Sequence, residues 1–468
     1  MKNILLVFLS TVTYLTCSAQ FASKQIITTA LEHPGNIYAG DIDGDEDLDV
    51  IMTSFANLYW IEKIDEQGNF GLMHLIDGSQ DVRKVYPTDI DGDGDMDILY
   101  IKPNELGWLE NTDGNGTFSL RQIIEGEMND FWPLFTSDLD GDGYLDVVTA
   151  IGDAFTWFKN IDGLGNFQAM QNLSSYGTNK NAVPGDVDGD GDIDIITSSY
   201  HWCECDNPTI GWFENLDGLG NFGEIHVIST DFQIHNATKD IIAFDGDNDG
   251  DIDIFTVAVS YANGTTETLA WSENIDSQGN FEAAQIIISE PDGITDVIKS
   301  IDIDNDGILE LLVDMNNGTT RNFMWFGNDE QGGFELQGGM EEFPGGGGVD
   351  DFQVVDFDND GDYDIIAAKS IPSANNDEIF WHKNTSTLSI NNPTKLDYSI
   401  FPNPTTGLLN VESETKIYQI TITNQLGQVV LFVRNRNLID ISNLPEGLYF
   451  IKIKNKNNHF EIKKIIKK

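Results

Sequence analysis

Basic residues are scarce in this chain. Only 25 Lys and Arg stand against 78 Asp and Glu, for a formal net charge of −53. A surface so acidic repels phosphate and excludes nucleic acid as a partner. Cysteine is nearly absent, with three in 468 residues. Disulfides therefore do not staple a domain of this size, and the pair Cys203 and Cys205 reads as a local strained disulfide or as two free thiols in a loop. Beyond the first residues no apolar run approaches the roughly 20 residues of a membrane span. Helical periodicity is missing too, and short alternating runs such as Ile98-Leu-Tyr-Ile101 and Arg121-Gln-Ile-Ile124 take its place. Disorder, the simplest reading of high charge, does not fit a chain that is 40% apolar with its carboxylates gathered in loops.

The N-terminus reads as a secretory signal over residues 1–19. Lys2 supplies the positive end, Ile4 to Leu15 the apolar stretch, and Cys17-Ser-Ala19 a small-residue cleavage site before Gln20. A lipoprotein reading would anchor the chain through Cys17, but Tyr14-Leu-Thr before it matches that signal poorly. The expectation is export to the periplasm.

What the chain has in abundance is one acidic pattern, Asp89-Ile-Asp-Gly-Asp-Gly-Asp-Met-Asp97, repeated seven times with small changes. Loop positions 1, 3, 5 and 9 are acidic in every copy. They are Asp41, Asp43, Asp45 and Asp49; Asp89, Asp91, Asp93 and Asp97; Asp138, Asp140, Asp142 and Asp146; and Asp186, Asp188, Asp190 and Asp194. The last three copies offer Asp245, Asp247, Asp249 and Asp253; Asp302, Asp304, Asp306 and Glu310; and Asp356, Asp358, Asp360 and Asp364. Four carboxylates so close repel unless a cation sits among them. A hard cation with six to eight oxygen ligands fits that density, and outside a cell that points to Ca2+, bound structurally in up to seven sites. An EF-hand needs a bidentate Glu at position 12. Here position 12 is Met52, Tyr100, Thr149, Thr197, Thr256, Val313 or Ala367, so that motif is excluded.

A second signal keeps the same period of about 50 residues. Trp60, Trp108, Trp157, Trp212, Trp271, Trp325 and Trp381 each follow their own acidic loop. Most lead into an Asn-, Asp- and Gly-rich turn closed by Phe70, Phe118, Phe167, Phe222, Phe281 or Phe334. Four short strands per period, seven times over, predict an all-β fold, a seven-bladed β-propeller over 20–387. No Phe closes a turn after Trp381. Gln20-Phe-Ala-Ser-Lys-Gln-Ile-Ile27 has the missing spacing, so the mature N-terminus is expected to supply the outer strand of the last blade and close the ring. If the acidic loop joins strands one and two, Trp marks strand three and Phe starts strand four. The acidic loops and the Asn-Asp-Gly turns then share one rim, and the loops of variable length share the other.

These repeats resemble the FG-GAP/VCBS family, which includes the propeller of integrin α subunits. The resemblance spans roughly Phe21 to Thr385. It implies side-chain ligands at positions 1, 3, 5 and 9 and a backbone carbonyl ligand at position 7. Carried onto this chain, position 7 is Asp95, Tyr144, Asp192, Asp251, Ile308 or Asp362. The first copy departs from the pattern with Glu46 at position 6, where the others have Gly. The sixth has the longer Glu310 at position 9.

After a linker at 388–398 the composition turns basic. From Asn391 to the end, 11 Lys and Arg face 6 Asp and Glu. Phe401-Pro-Asn-Pro-Thr-Thr-Gly407, Asn424-Gln-Leu-Gly-Gln-Val-Val430 and Leu444-Pro-Glu-Gly-Leu-Tyr-Phe-Ile-Lys-Ile453 read as turns between short strands of a small C-terminal β-sandwich. Together, over 399–468, they resemble the type A C-terminal sorting domain of the type IX secretion system of Bacteroidetes. That resemblance implies the secretion machinery as a partner, passage through the outer membrane, and a secreted or outer-membrane-surface protein.

Two functional classes follow. One is a non-catalytic binding platform for glycan or protein, read as a monomer. The other is a polysaccharide lyase on a calcium-bearing propeller. A lyase needs a base, an acid and a neutralising cation, and the variable rim offers His33, Arg83, Lys84, Trp132, Lys180, His201, Trp202 and His235. Trp132 and Trp202 are the only tryptophans outside the blade series and the natural stacking surfaces for a sugar. With Arg83, His201 and His235 they form the candidate ligand face. His33, before Pro34-Gly35, also reads as a simple turn. Fold alone does not choose between the classes.

Overall fold

Each acidic loop runs straight into a short apolar segment such as Asp49-Val-Ile-Met-Thr-Ser54 or Asp97-Ile-Leu-Tyr-Ile-Lys102. A continuous apolar run of this length suits a strand buried on both faces. In the computed structural model, Asp49–Ser54, Asp97–Lys102 and Asp364–Lys369 are buried along their whole length. The structure describes residues 21–385 and 398–468, apart from 66, 80–81, 127–130, 152–153, 175–177, 201–209, 230–236, 261–265, 291–292, 317–319, 329–332, 345–348, 371–376, 414–416, 424–428, 435, 443, 445–446 and 456–459. All regular elements among the described residues are strands. The chain forms two units, Met1–Ser386 and Thr387–Lys468.

The first unit repeats one sheet. Pro34–Gly40, Asp49–Ser54, Asn57–Lys63 and Phe70–Asp77 pair antiparallel in chain order. Among the described residues the first unit holds seven four-stranded antiparallel sheets, six of them in chain order. Their first strands are Pro34–Gly40, Lys84–Thr88, Phe131–Ser137, Thr178–Gly185, Ala237–Phe244, Ile294–Ile301 and Val349–Val355. Each first strand packs against the next, and the last packs against the first. The unit is thus a β-propeller whose sheets, taken in this order, are blades 1 to 7. The acidic loops join first to second strands, all seven Trp lie on third strands, and all are buried. Phe70, Phe167, Phe222 and Phe334 begin outer strands. Phe118 and Phe281 instead make isolated bridges to Asn111 and Asn274, and their outer strands begin later, at Gln122 and Gln285.

The ring closes as the missing Phe requires. Blade 7 takes its outer strand, Gln25–Thr28, from the N-terminus, pairing with Glu378–His382. Gln25 lies opposite Trp381, and Phe21 bridges Asn384. Phe21 is buried, and Lys24 forms an ion pair with Glu378.

The cores sit between blades. Ile42, Ile51, Leu58 and Trp60 of blade 1 pack with Val85, Ile98, Tyr100 and Leu109 of blade 2. Phe357, Ile366, Ile379 and Trp381 of blade 7 pack with Ile37, Val50, Met52 and Ile61 of blade 1. No blade therefore owns a complete core. The second unit differs. A three-stranded sheet (Tyr398–Phe401, Leu408–Ser413, Leu438–Asp440) and a four-stranded one (Ile417–Thr423, Val429–Arg434, Gly447–Asn455, Phe460–Lys467) share one core. Leu409, Val411 and Ile439 of the first meet Ile420, Ile422, Ile451 and Ile465 of the second.

Candidate metal centres on the acidic rim

The loop backbone is bent so that carboxylates converge. Positions 4 and 6 both have positive φ, a region that side chains with a Cβ disfavour. Position 4 is always Gly or Asn, from Gly44 (φ 75°) to Asn359 (φ 57°). Position 6 is Gly in six loops, and Glu46 of the first adopts φ 73° despite its side chain.

The loop's own N–H groups then fix three of the four carboxylates. In the second loop Gly92 and Gly94 donate to the two oxygens of Asp89 at position 1. Asp95 N–H donates to Oδ1 of Asp93 at position 5. The position 9 carboxylate is the deepest, and both its oxygens are held. Ile90 N–H donates to Oδ2 of Asp97 at 3.0 Å, and Asn111 N–H donates to Oδ1 at 2.8 Å from the end of the Trp strand. The same pair of accepted hydrogen bonds recurs at Asp49, Asp146, Asp194, Asp253 and Asp364. Glu310 accepts from Ile303 N–H.

Position 3 is left over. The Oδ1 atoms of Asp43, Asp91, Asp140, Asp188 and Asp358 are buried and accept no hydrogen bond. A buried acceptor without a donor is costly. One carboxylate oxygen from each residue lies within 4.8 Å of the others in groups such as Asp89, Asp91 and Asp97 or Asp186, Asp188 and Asp194. Burial pushes the position 9 carboxyls up, to about 7 at Asp49, Asp97, Asp194 and Asp364, to about 6 at Asp146, and to about 8 at Asp253 and Glu310, although their backbone donors pull the other way. Convergent, partly unsatisfied carboxylate oxygens that outnumber the cations beside them fit a hard divalent cation.

The rim is continuous from blade to blade. Asn111, three residues after its Trp, donates through Nδ2 to the Ile42 carbonyl of the preceding loop, at 2.8 Å. Asn160, Asn215, Asn274 and Asn384 do the same to Ile90, Leu139, Val187 and Ile303. At the joint between blades 7 and 1 the corresponding residue is Lys63, whose ammonium lies 5.3 Å from the Phe357 ring centre. The Asn-Asp-Gly turns complete the contact. A Cβ on Gly116 would come within 2.6 Å of Trp60, and one on Gly165 within 2.2 Å of Trp108, so glycine lets each turn lie on the Trp of the preceding blade. The Trp-x-x-Asn spacing is visible in the sequence, but its role in joining blades was not read from it.

Residues 41–100, 89–149, 138–197 and 245–313 match the FG-GAP-like repeat family, and 399–468 match the secretion system C-terminal sorting domain. The chain carries FG-GAP-like repeats and ends in a type IX sorting domain. The secretion machinery recognises such a domain, so the protein is secreted or displayed at the cell surface. No curated protein matches the sequence significantly. Among solved structures, a lectin of Agrocybe aegerita, described for its specific recognition of non-reducing terminal N-acetylglucosamine, is 16% identical with a TM-score of 0.51. The match covers 76% of this chain and 87% of the lectin, and at that identity it speaks for the fold. The extracellular domain of a hybrid two-component system of B. thetaiotaomicron is 12% identical with a TM-score of 0.47, over 96% of this chain and 60% of its own.

The opposite rim of this FG-GAP propeller is less uniform. His33 (φ 51°) starts the first strand as a turn residue. Its N–H donates to Asp377, its carbonyl accepts from Phe55, and its ring packs edge-on to Phe55. Arg83 is exposed just before the first strand of blade 2. Trp132 and Lys180 belong to the first strands of blades 3 and 4, near the ends away from the acidic loops. His201, Trp202 and His235, with Cys203 and Cys205, lie outside the described residues. Lys84 departs from the rim reading. It faces the propeller axis, within electrostatic reach of Asp240, Asp351 and Lys299 on the first strands of blades 5, 7 and 6. Asp240 accepts from Ile298 N–H of blade 6 at 3.0 Å, and Asp351 accepts from Ile37 N–H of blade 1 at 3.1 Å. Separately, a cavity of about 620 Å³ opens between the outer strands of blades 3 and 4, lined by Gln171, Leu173, Phe213, Phe222, Glu224 and His226.

Proposed function

We propose that the protein is a calcium-loaded propeller, delivered to the cell exterior, that acts as a non-catalytic binding platform for glycan or protein. The buried position 3 oxygens that accept no hydrogen bond carry the calcium part of this reading. Positions 1, 3, 5 and 9 would hold the ion, joined by the position 7 carbonyl. Calcium supplies charge neutralisation there, and the chain's own N–H groups orient the carboxylates before it arrives. At a concentration of 100 times the dissociation constant, each filled site stabilises the fold by about 2.7 kcal/mol. Melting with calcium and with excess chelator should differ widely. Superimposable curves, with no calcium found by elemental analysis, would sink the assignment.

The sorting domain supports delivery outside the cell. Recognition is assigned to the rim away from the acidic loops, where loop lengths vary and where Arg83 is exposed and Trp132 sits on a strand end. Trp202, His201 and His235 complete the proposed face. Buried aromatic anchors commonly contribute about 2 kcal/mol or more to binding. In a glycan and protein ligand screen, Trp132→Ala and Trp202→Ala should fold normally and bind at least tenfold more weakly. If both bind like the parent while His226→Ala abolishes binding, the ligand occupies the cavity between blades 3 and 4 instead.

A further inference from the structure

The seven loops are not electrostatically alike. In six of the seven blades the residue two places after the Trp is charged and ends beside the acidic cluster of its own blade; in blade 6 it is Gly327. It is Glu62, Glu110, Glu214 and Glu273 in blades 1, 2, 4 and 5. Glu110 adds negative charge beside Asp91, and Glu214 beside Asp188. In blades 3 and 7 the same place holds Lys159 and Lys383. Lys159 Nζ bonds Oδ2 of Asp140 and lies 2.8 Å from Oδ2 of Asp142. Lys383 Nζ bonds Oδ2 of Asp358 and lies 2.9 Å from Oδ2 of Asp360. Each ammonium thus spans positions 3 and 5 of its loop. Position 5 uses Oδ1 for the N–H of position 7, so the lysine takes the oxygen left for a metal ion. Lys63, by contrast, reaches only the position 7 side chain of its loop, Asp47, at 2.9 Å.

We propose that the loops of blades 3 and 7 are held by a resident ammonium and form a weak class of calcium sites, distinct from the glutamate-flanked loops. The proposal rests on the calcium reading of the rim. Affinity in oxygen-ligand calcium sites is tuned over orders of magnitude by ligand charge and rigidity. Replacing a flanking carboxylate by an ammonium changes the local charge by two and blocks one ligand oxygen. Blade 7 is also the blade that the N-terminal strand closes, where Lys24 already pairs with Glu378. Its closure then depends on the chain's own cations and does not wait for metal.

Calorimetric titration of the full chain with calcium, after chelator treatment, tests this. The parent should show a tight class and a class at least tenfold weaker, the weak class numbering two. Lys159→Glu with Lys383→Glu should move those two sites into the tight class. Glu110→Lys with Glu214→Lys should do the reverse, adding two weak sites, so misfolding of one variant does not protect the idea. Sites of a single class in the parent, or counts unmoved by both pairs, overturn the proposal and leave the calcium reading intact. Absence of any calcium binding overturns both.

Discussion

The chain handles buried carboxylates in two ways, one at the rim and one at the axis. At the rim, an acidic loop of one design recurs seven times, and most copies lack a cation of their own. At the axis, Asp240 and Asp351 are matched by Lys84 and Lys299, with Tyr38 and Tyr86 alongside, their rings 6.0 Å apart. On the proposed calcium reading the rim takes its counter-charge from solution, while the axial carboxyls face lysines of the chain itself. Rim sites are local, each built within about nine consecutive residues. The axial group draws on blades 1, 2, 5, 6 and 7 and exists only once the ring has closed.

Opening the ring should therefore break the axial group and leave blade 7 with an open edge, and it carries the largest expected effect. Deleting residues 20–29 removes the outer strand of blade 7 and buried Phe21, whose burial alone stabilises by about 2–3 kcal/mol. It also exposes the edge of Glu378–His382 to other chains. The deletion variant should aggregate, or melt in a broad transition even with calcium present. A variant as monomeric and as stable as the parent would mean that closure does not depend on this strand.

Lys84→Met breaks the axis alone. Burial holds the carboxyls of Asp240 and Asp351 above their usual range, against the pull of Lys299 and Lys84. A carboxyl raised in the folded state favours folding at low pH and loses that contribution as the pH rises through its folded value. Lys84 is itself lowered by burial, so its own contribution runs the other way and is lost as the pH falls. In the parent the two trends oppose. In Lys84→Met only the carboxyl trend remains, and it is stronger for want of one ammonium. The variant should be clearly less stable than the parent at pH 8 and distinctly closer to it at pH 5. Equal losses at both would remove the axial carboxyls from the account.

The same contrast explains what could be read from the sequence. The rim was legible because each loop repeats with fixed spacing, so the strand order, the Trp on third strands, four of the six Phe at outer-strand starts, and the N-terminal closing strand followed from periodicity, while Phe118 and Phe281 fall short of their strands. The axis was not legible. Lys84, Asp240, Lys299 and Asp351 stand on different blades, share no spacing, and meet only through the rotation of one sheet to the next. Lys84 looked like a rim residue because it follows a loop, but being first in an inner strand turns it to the centre. The Asn latches fall between these cases. Asn111, Asn160, Asn215, Asn274 and Asn384 repeat, yet their partners lie in the preceding blade, about 70–90 residues back in the chain. Lys159 and Lys383 were hidden by the opposite fault, because they break a repeat in a chain otherwise read by its regularity.

The smallest effect tests the local origin of the rim. Glu46 sits at φ 73° where six other loops place Gly, and a residue with a Cβ in that region costs about 1–2 kcal/mol. Glu46→Gly should therefore raise the stability of the propeller by about 1 kcal/mol. Gly94 is the control, because a Cβ there would meet nothing within 4 Å, so only the backbone at φ 98° resists it. Gly94→Ala should lose about as much as Glu46→Gly gains. Both should be measured with chelator present, so that calcium affinity does not enter. If Glu46→Gly is destabilising there, the glutamate makes up for its backbone strain through contacts in the first loop, and that loop is not a damaged copy of the others but a distinct one.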